Sequence, residues 1–267
     1  MGLFSIFKKD KTEHRGFHIL TVKSIDRLTS NSIKIVFDVP SAVEASFIFI
    51  PGQYITLLIN HGGKEERRSY SLCNGPDESL AIAVKEVPNG TISVWLNREL
   101  KVGDEIQVSE PQGNFTLKPT EKNVVAIAAG SGITPIMSIA KQLQATGGNM
   151  QLFYGNRSES DILFKSELGG LDAVKGHYAL SGETKDGFLS GRIDKAQITA
   201  LIKQDLDMLK SDAFFICGPE QMIMEVKETL EFFGVNATKI RFELFTTPFL
   251  WFRKVFKFKP IILATAR

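Results

Sequence analysis

The hydrophobic pattern changes near the middle of the chain, and this change predicts two domains of different construction. Across residues 17–117, short runs of β-branched and aromatic residues alternate with polar punctuation, which is typical of antiparallel strands. Strands are predicted over residues 18–22, 32–37, 51–58 (after an initial turn), 79–85 and 104–108, with another extended stretch around Arg68. Many short strands at this spacing favour a small antiparallel β-barrel.

One helix interrupts these strands, over residues 91–97 after Pro88-Asn89-Gly90. Gly90 allows the backbone to approach a ligand closely. The unpaired amides of the first helical turn favour an anion, and Ser93 adds a hydroxyl there. The alternative is a plain surface helix capped by Thr91. Beside the cation of Arg68, a pyrophosphate cradle is the favoured interpretation.

The second half follows an alternating strand and helix pattern after a polar boundary at residues 118–122. Residues 123–128 form a continuous apolar strand, as in a parallel sheet covered on both faces. A glycine loop follows at 129–133, and then a helix with Thr134 as N-cap and Pro135 as first helical residue, ending at Gly147-Gly148. Further strands are predicted over 150–154, 178–180, 213–217 and 239–244, with a helix from Glu220.

Strand, glycine loop and helix in this order bind the phosphates of dinucleotides. Pro135 stands where the full Rossmann fingerprint has its third glycine, so the match is partial. Loops also follow the later strands, at residues 155–158, 181–183 and 218–219. Because ligands of open α/β sheets lie beyond the carboxyl ends of the strands, these loops are expected to converge on one edge.

The stretch Arg67-Arg68-Ser69-Tyr70-Ser71 offers the groups that a flavin dinucleotide needs. It combines a cation for pyrophosphate, a flat aromatic for stacking and a hydroxyl for the ring edge. In an extended strand, Arg68 and Tyr70 share one face and Ser71 lies on the other. The alternative is a strand with an arginine on its wet face.

Cys217 has two interpretations. A cysteine that ends an apolar strand is commonly a small buried hydrophobe. Followed by Gly218-Pro219 at the sheet edge, it can instead face the reacting ring of a cofactor. Cys73 has no such setting and is predicted to be structural.

Composition narrows the function classes. The chain has 267 residues, 43% hydrophobic and 23% charged, with a net charge of +2, which indicates a globular protein without a nucleic-acid partner. Two cysteines exclude a disulfide framework and a four-cysteine iron–sulfur site within the chain. The four histidines lack metal-ligand spacing, so no metal site is predicted. No signal peptide or transmembrane run is seen, and a cytoplasmic location is predicted.

The motifs together resemble the ferredoxin–NADP reductase superfamily over about residues 15–245, in particular the reductase components of bacterial oxygenases. Arg68-Ser69-Tyr70-Ser71 is similar to that family's flavin motif, and Gly90-Thr91-Ile92-Ser93 to its second one. Further matches are residues 84–85, along the flavin, 130–135, the nicotinamide-nucleotide loop, 217–219, beside the nicotinamide, and 242–245, the terminal segment.

The resemblance implies FAD and NADH or NADPH as cofactors. It places Arg68 on the FAD pyrophosphate, Tyr70 on the ring face and Ser71 at the ring's N5 edge. Ser71, Tyr70 and Cys217 are the expected catalytic residues. The expected cofactor-binding residues are Arg68, Tyr70, Ser71, Val84, Lys85, Gly90, Thr91, Ile92, Ser93, Gly130, Ser131, Gly132, Thr134, Asn156, Arg157, Ser181, Cys217, Gly218, Pro219 and Phe245.

The expected organisation is a flexible N-terminus (1–14), an FAD-binding β-barrel domain (15–118), an NAD(P)-binding α/β domain (119–245) and a basic, aromatic tail (246–267). Close relatives carry a [2Fe–2S] domain after the terminal segment; here the tail is too short and lacks cysteine. It is interpreted as a linker or local packing, with a docking helix or membrane-surface segment as alternatives.

A second departure concerns the coenzyme. Phosphate-selective relatives often have Ser-Arg where this chain has Ser181-Gly182, which weakens the case for a 2′-phosphate site, although Arg157 is another candidate for it.

The predicted function is an NAD(P)H-dependent flavoprotein reductase that serves a ferredoxin-type iron–sulfur protein or an oxygenase component. The alternatives are a free-flavin or ferric reductase, and a non-catalytic electron-transfer subunit of a larger complex. The pattern indicates no oligomeric state.

Overall fold

The first half of the chain forms a six-stranded antiparallel sheet. The computed structural model describes residues 16–245, so the predictions for 1–14 and for the tail 246–267 lie outside the described residues. The strands are β1 (Phe17–Thr29), β2 (Ser32–Asp38), β3 (Tyr54–His61), β4 (Lys64–Ser71), β5 (Ala81–Lys85) and β6 (Glu105–Ser109), in the order β4-β3-β6-β1-β2-β5. An antiparallel bridge between Leu72 and Ile82 joins the two ends of the sheet, which gives a small barrel.

Two strands of the barrel are longer than the hydrophobic pattern predicts. β1 continues to Thr29 because its second half stays paired with β2 beyond a register shift after Val22. β4 begins at Lys64, directly across a two-residue turn at Gly62 and Gly63, whose φ angles are 58° and 77°. Two positive φ values define the favoured hairpin turn, so the Gly-Gly pair is a signal for this hairpin.

Helix α1 (Thr91–Arg98) packs against the barrel. Ile92 and Leu96, four residues apart, lie on one helix face and join the barrel core of aliphatic and aromatic side chains. Its Asn97 amide donates to the carbonyl oxygens of Ser93 and Val84, at 2.9 and 3.2 Å, and so ties the helix to β5. Helix α1 and β5, which both contain residues predicted to bind the flavin, are therefore held together by this side chain.

The second half forms a six-stranded parallel sheet flanked by helices. Its strands are β7 (Asn123–Ala129), β8 (Asn149–Asn156), β9 (Val174–Leu180), β10 (Leu189–Ser190), β11 (Ala213–Cys217) and β12 (Ile240–Glu243), in the order β10-β9-β8-β7-β11-β12. The helices are α2 (Ile133–Thr146), α3 (Lys165–Gly169), α4 (Lys195–Gln204) and α5 (Glu220–Phe232). Alternate β7 residues, such as Ala126 and Ile127, enter cores on opposite faces, which explains the continuous apolar run.

The predicted start of α2 is wrong by a short distance. The chain forms a tight turn at Gly130–Gly132 that runs directly into the helix at Ile133. Thr134 is therefore inside the first turn, and its hydroxyl donates to the Ser131 carbonyl oxygen at 3.0 Å instead of capping the helix. Pro135 lies in the same turn, where its missing N–H removes no helical hydrogen bond. The C-terminal prediction is confirmed, since Gly147 ends the helix with φ of 68°.

The two sheets pack against each other through an apolar seam. Phe115 from the first half meets Phe215 of β11 edge to face, with ring centroids 5.1 Å apart. Beside them, the buried Ser138 hydroxyl of α2 donates to the Asn74 carbonyl oxygen at 2.8 Å. At the border of the seam, the Lys141 ammonium lies 2.6 Å from Glu78 and 3.2 Å from Glu167. Within residues 16–245, no helix is long and apolar enough to cross a membrane.

Candidate functional site

A cavity of about 930 Å³ opens at the carboxyl edge of the parallel sheet. The loops after β7, β8, β9 and β11 all contribute to it, as their order along the sheet predicts. Ten of the sequence-predicted site residues line it: Lys85, Gly130, Ser131, Gly132, Asn156, Arg157, Ser181, Gly218, Pro219 and Phe245. Lys85 comes to this lining from the barrel, and its ammonium is 3.5 Å from an Asp161 carboxylate oxygen of the second half.

The glycine loop is pressed against the end of β11. A Cβ built on Gly132 would lie 2.1 Å from the Cys217 carbonyl oxygen, so no larger residue fits there. On the other side, the buried Tyr154 hydroxyl donates to the Gly130 carbonyl oxygen at 2.8 Å, and Gly130 has φ of 55°. The loop therefore keeps a fixed shape with its backbone open to the cavity, at the start of the 14-residue helix α2. Such a loop fits a dinucleotide phosphate.

Asn156 at the end of β8 carries the clearest mark of a ligand. The residue is only 7% exposed, and it lines the cavity. Within the described part of the chain, its amide nitrogen and oxygen make no hydrogen bond of ordinary geometry, and the Tyr154 hydroxyl is the nearby group that interacts with the amide. Because an unpaired buried amide costs about 1–3 kcal/mol, its position in the cavity lining makes Asn156 a candidate for contact with a bound nucleotide.

The predicted flavin strand lies at the end of β4, outside the cavity lining. Arg68 is exposed, with one guanidinium nitrogen 2.9 Å from a Glu66 carboxylate oxygen. Tyr70 packs against the barrel core, and this burial raises the pKa of its phenol to about 12, against a smaller lowering effect of Arg68. An exposed arginine and a neutral, half-buried ring are compatible with the predicted grip on FAD.

The α1 cradle has the close backbone approach that the sequence indicates. Gly90 precedes the helix, with no side-chain cap, so Thr91 does not cap it as the alternative interpretation required. A Cβ on Gly90 would lie 2.8 Å from the Ser93 hydroxyl, which itself accepts from the Val87 backbone N–H at 3.0 Å. The side chains of Ile92 and Val84 are buried in the barrel core, and the Val84 carbonyl oxygen accepts from the Asn97 amide. Of the two residues, only Ile92 has a backbone N–H in the first turn of α1 that is left for a ligand.

One contact joins the flavin strand to the nucleotide-binding half. The Ser71 hydroxyl donates to a Glu243 carboxylate oxygen at 3.4 Å, although 172 residues separate them. Glu243 of β12 lies directly opposite Cys217 of β11. Ser71, Cys217 and Glu243 are thereby brought together at the junction of the two halves.

Burial dominates the electrostatics of this junction. It raises the pKa of the Glu243 carboxyl to about 7, against the opposing effect of the Ser71 hydrogen bond. Burial, and then the nearby Glu243 charge, raise the pKa of the Cys217 thiol well above its ordinary value. The same two causes raise the pKa of the Tyr54 phenol. Glu243 can therefore hold or release a proton near neutral pH, and the Cys217 thiol stays protonated.

The sequence motifs did not single out Glu243, although the terminal segment 242–245 contains it. The sequence signal that could have indicated Glu243 is a carboxylate on the last predicted strand, at the edge of the parallel sheet. Cys217 is fully buried and lies outside the cavity lining, to which Gly218 and Pro219 contribute instead. Its predicted catalytic role stays a prediction. Among residues 16–245, no group of three or more histidine, cysteine, aspartate or glutamate side chains is arranged to hold a metal ion.

Comparisons with known proteins agree with this geometry. Models of an oxidoreductase FAD-binding domain and an oxidoreductase NAD-binding domain match residues 19–117 and 126–228. One subunit of the 1,2-phenylacetyl-CoA epoxidase of Escherichia coli (strain K12) is 34% identical over 245 residues, which covers 87% of this chain and 68% of that protein. The chain belongs to the ferredoxin–NADP reductase superfamily. It is an NAD(P)H-dependent flavin oxidoreductase of the oxygenase-reductase type, with FAD as its flavin.

Two further proteins are similar to the reductase. The ferredoxin reductase component of 3-ketosteroid-9-alpha-monooxygenase from Rhodococcus rhodochrous is 32% identical, over 86% of this chain and 65% of that protein. The FAD/NAD binding domain of nitric oxide dioxygenase from Vibrio cholerae O1 biovar El Tor has a TM-score of 0.77 at 27% identity. It covers 86% of this chain and 99% of that domain. The reductase thus spans about two thirds of the length of the two curated relatives.

Proposed function

We propose that the reductase passes electrons from NADH or NADPH through FAD to a one-electron protein acceptor, either a ferredoxin-type iron–sulfur protein or an oxygenase component. The names of the two curated relatives, both parts of oxygenase systems, support this acceptor class. The contact between Ser71 and Glu243 is the observation that carries the proposal. It joins the flavin strand to the sheet edge that forms the nucleotide cavity.

The chain's own groups fall into two sets. Arg68 and the first amides of α1 would bind the FAD pyrophosphate, while Tyr70 would support the ring and Ser71 would donate at its edge. The glycine loop, Asn156 and Arg157 orient the nicotinamide nucleotide along the sheet edge. Bound FAD would supply the two-electron exchange with the coenzyme and the one-electron release to the acceptor. The half-buried setting of Glu243 lets its carboxyl exchange a proton near neutral pH.

Phe245 lines the cavity with 45% of its surface exposed, and Cys217 is fully buried at the end of β11. We propose that this end of the cavity shields the reacting rings from solvent.

The domain boundary near residues 118–119 and the cytoplasmic location belong to the same proposal. The ranges of the two family models, 19–117 and 126–228, support the boundary. The two cysteines, both free and buried, are compatible with a reducing compartment.

The test is an anaerobic titration of the purified protein. The proposal expects a yellow protein whose flavin absorbance bleaches on adding NADH or NADPH. Cytochrome c, a one-electron acceptor, should then restore the absorbance. A protein that carries no flavin but oxidises NADH when free FAD is added would indicate the free-flavin reductase instead. A colourless protein that neither binds FAD nor oxidises a coenzyme would refute an enzymatic role for this chain.

A further inference from the structure

The strand that carries the flavin motif, β4, begins with two acidic residues ahead of its two arginines. A Glu65 carboxylate oxygen lies 3.2 Å from a guanidinium nitrogen of Arg67, and a Glu66 carboxylate oxygen lies 2.9 Å from one of Arg68. In both pairs the partners are two positions apart, and alternate residues of an extended strand share a face. Each arginine of the motif is therefore paired with a carboxylate of its own strand.

Of the two pairs, that of Glu66 and Arg68 lies on the face predicted to hold FAD. Arg68 shares this face with Tyr70, whose ring packs against the barrel core. Arg67 points the other way, with its guanidinium carbon 5.5 Å from the centroid of the Phe17 ring of β1. The Glu66 carboxylate therefore stands at the predicted pyrophosphate cation.

The pair of Glu66 and Arg68 is weak enough to be displaced. Nη1 of Arg68 lies 2.9 Å from Oε2 of Glu66 and donates to the Arg67 carbonyl oxygen at 2.8 Å. The side chains of Arg68 and Glu66 are 47% and 34% exposed, so water and salt screen the attraction between them. A pyrophosphate carries more negative charge than one carboxylate and offers more acceptor oxygens. It can therefore bind the guanidinium, but only by breaking this pair or by lying beside a like charge.

The other part of the predicted grip, the start of α1, has a different electrostatic character. The first turn of this helix, which the structure describes in full, contains no aspartate or glutamate. Its amides therefore present positive partial charge to an anion. Glu66, in contact with the cation of the grip, is placed to oppose the binding of a pyrophosphate that the helix favours.

We propose that Glu66 competes with the FAD pyrophosphate for Arg68 and so lowers the affinity of the reductase for FAD. Displacing the carboxylate, or keeping it next to the pyrophosphate, costs binding free energy in either case. Glu66 acts through Arg68 and is a positioning residue. The flavin then exchanges with free FAD more readily than Arg68 alone would allow. This inference rests on the proposed role of Arg68 and adds flavin retention as a property that β4 sets.

Dilution of the FAD-loaded protein measures the affinity. Ultrafiltration of a dilution series, with free FAD measured in the filtrate, gives the dissociation constant. Glu66→Gln keeps the shape of the side chain and removes its charge. This substitution should lower the Kd for FAD by about three- to tenfold at low ionic strength, where exposed charges are little screened.

Glu65→Gln is the matched control. It removes the same charge from the neighbouring residue, on the opposite face of the same strand, where the partner is Arg67. The Kd for FAD should change by less than about twofold in this variant. An equal gain in affinity in Glu65→Gln and Glu66→Gln would overturn the proposal, because the effect would then depend on net charge alone.

A double-mutant cycle decides whether Glu66 acts through Arg68. Arg68→Ala should raise the Kd for FAD by roughly tenfold or more, the scale of a charged hydrogen bond. In that background, Glu66→Gln should lose most of its effect, since the cation for which the carboxylate competes is gone. An undiminished gain would refute the competition. Weaker FAD binding in the single variant Glu66→Gln would also refute it, by showing that the carboxylate orients Arg68 for the ligand.

The outcomes separate this inference from the proposed function, because the dilution series uses no coenzyme. If the variants bind FAD as expected but NADH and NADPH fail to reduce it, the proposed function fails and the role of Glu66 stands. If a coenzyme reduces the flavin and the native protein and Glu66→Gln have equal Kd values, the role of Glu66 fails alone. If the native protein and Glu66→Gln both fail to retain FAD at any concentration, both proposals fail.

Discussion

At the scale of single residues, Glu243 has the most unusual chemistry near the junction of the two halves. Glu243 is half-buried next to Ser71 of the barrel and Cys217 of β11, and this burial raises the pKa of its carboxyl to about 7. A raised carboxyl pKa means that the folded protein holds a proton that the unfolded chain releases from about pH 4.3 upward. The residue therefore lowers stability as the pH rises from about 4.3 through 7.

Glu243→Gln should remove this dependence. In the native protein, the Glu243 contribution lowers the free energy of unfolding by about 2 kcal/mol between pH 5.5 and pH 8. In the glutamine variant, which cannot ionise, that part of the decline should vanish. Urea unfolding at the two pH values measures it. Glu228→Gln, at an exposed position on α5, is the control and should behave like the native protein. An unchanged pH dependence in Glu243→Gln would contradict the raised pKa.

Ser71→Ala should slow flavin reduction. The hydroxyl has a single proton, which it donates to Glu243 in this structure and is predicted to donate to the flavin edge when FAD is bound, so its loss removes one hydrogen bond at the reacting ring. We expect a rate lower by roughly tenfold in anaerobic stopped flow, which corresponds to about 1.4 kcal/mol.

Ser69→Ala is the matched control for this variant. Ser69 lies two residues earlier on the same strand, where its hydroxyl meets that of Thr56 at 3.0 Å on the exposed surface. The rate of flavin reduction should be native in this variant. Equal rates in Ser71→Ala and Ser69→Ala would argue against a role for Ser71 at the ring.

At the scale of elements, the glycine loop shows why some features follow from the sequence. β7, the loop and α2 are specified locally, by an apolar run, closely spaced glycines and the apolar positions of a helix. The same reasoning missed the start of α2, because the tight turn at Gly130–Gly132 continues into the helix. It also missed α3, whose five residues are too few to show a periodicity.

The contact between the two halves of the site could not be predicted from the local sequence pattern. Ser71 and Glu243 meet across 172 residues, and no spacing in the sequence specifies their contact. The motif residues of the cavity were predictable, since each follows a buried strand. Helix α4 could have been predicted from the sequence, because Asp194 is an N-cap residue and Ile198 and Ile202, four residues apart, form one buried face.

Gly132→Ala should disrupt the glycine loop between β7 and α2. The new Cβ would lie 2.1 Å from the Cys217 carbonyl oxygen, so the loop must move away from β11. The free energy of unfolding should fall by about 1–3 kcal/mol, as in other overpacked sites, and the KM for the coenzyme should rise. Urea unfolding and initial rates measure the two effects. Gly169→Ala, where a Cβ meets nothing within 4 Å, should leave both near native. A native KM in Gly132→Ala would show that the loop does not position the coenzyme.

At the scale of the whole molecule, charged groups hold the two halves in one orientation. Lys141 of α2 is central among them, because its ammonium bridges Glu78 of the barrel half and Glu167 of α3, which Lys34 of β2 also approaches at 3.7 Å. The Lys141 side chain is only 10% exposed. Its loss would leave two carboxylates facing each other at the border of the seam.

Lys141→Met keeps the apolar stem and removes the charge. The free energy of unfolding should fall by about 1–2 kcal/mol, because a mostly buried partner of two carboxylates is lost. Chemical denaturation of the FAD-loaded protein measures this. Lys210→Met removes an ion pair that is about four-fifths exposed on both sides, and should change stability by less than about 0.5 kcal/mol. Equal effects of the two substitutions would show that the bridge does not stabilise the packing of the halves.

The seam that Phe115 and Phe215 share has a consequence for how the protein can be dissected. Each half contributes apolar side chains to it, including Ala81 and Leu117 on one side and Ile136 and Ile139 on the other. Cleavage of the chain in the polar stretch 118–122 would leave each fragment with a hydrophobic surface exposed to water. Expressed separately, the fragments should aggregate. Co-expressed in the same cell, they should associate and restore the cleft that neither fragment can form alone.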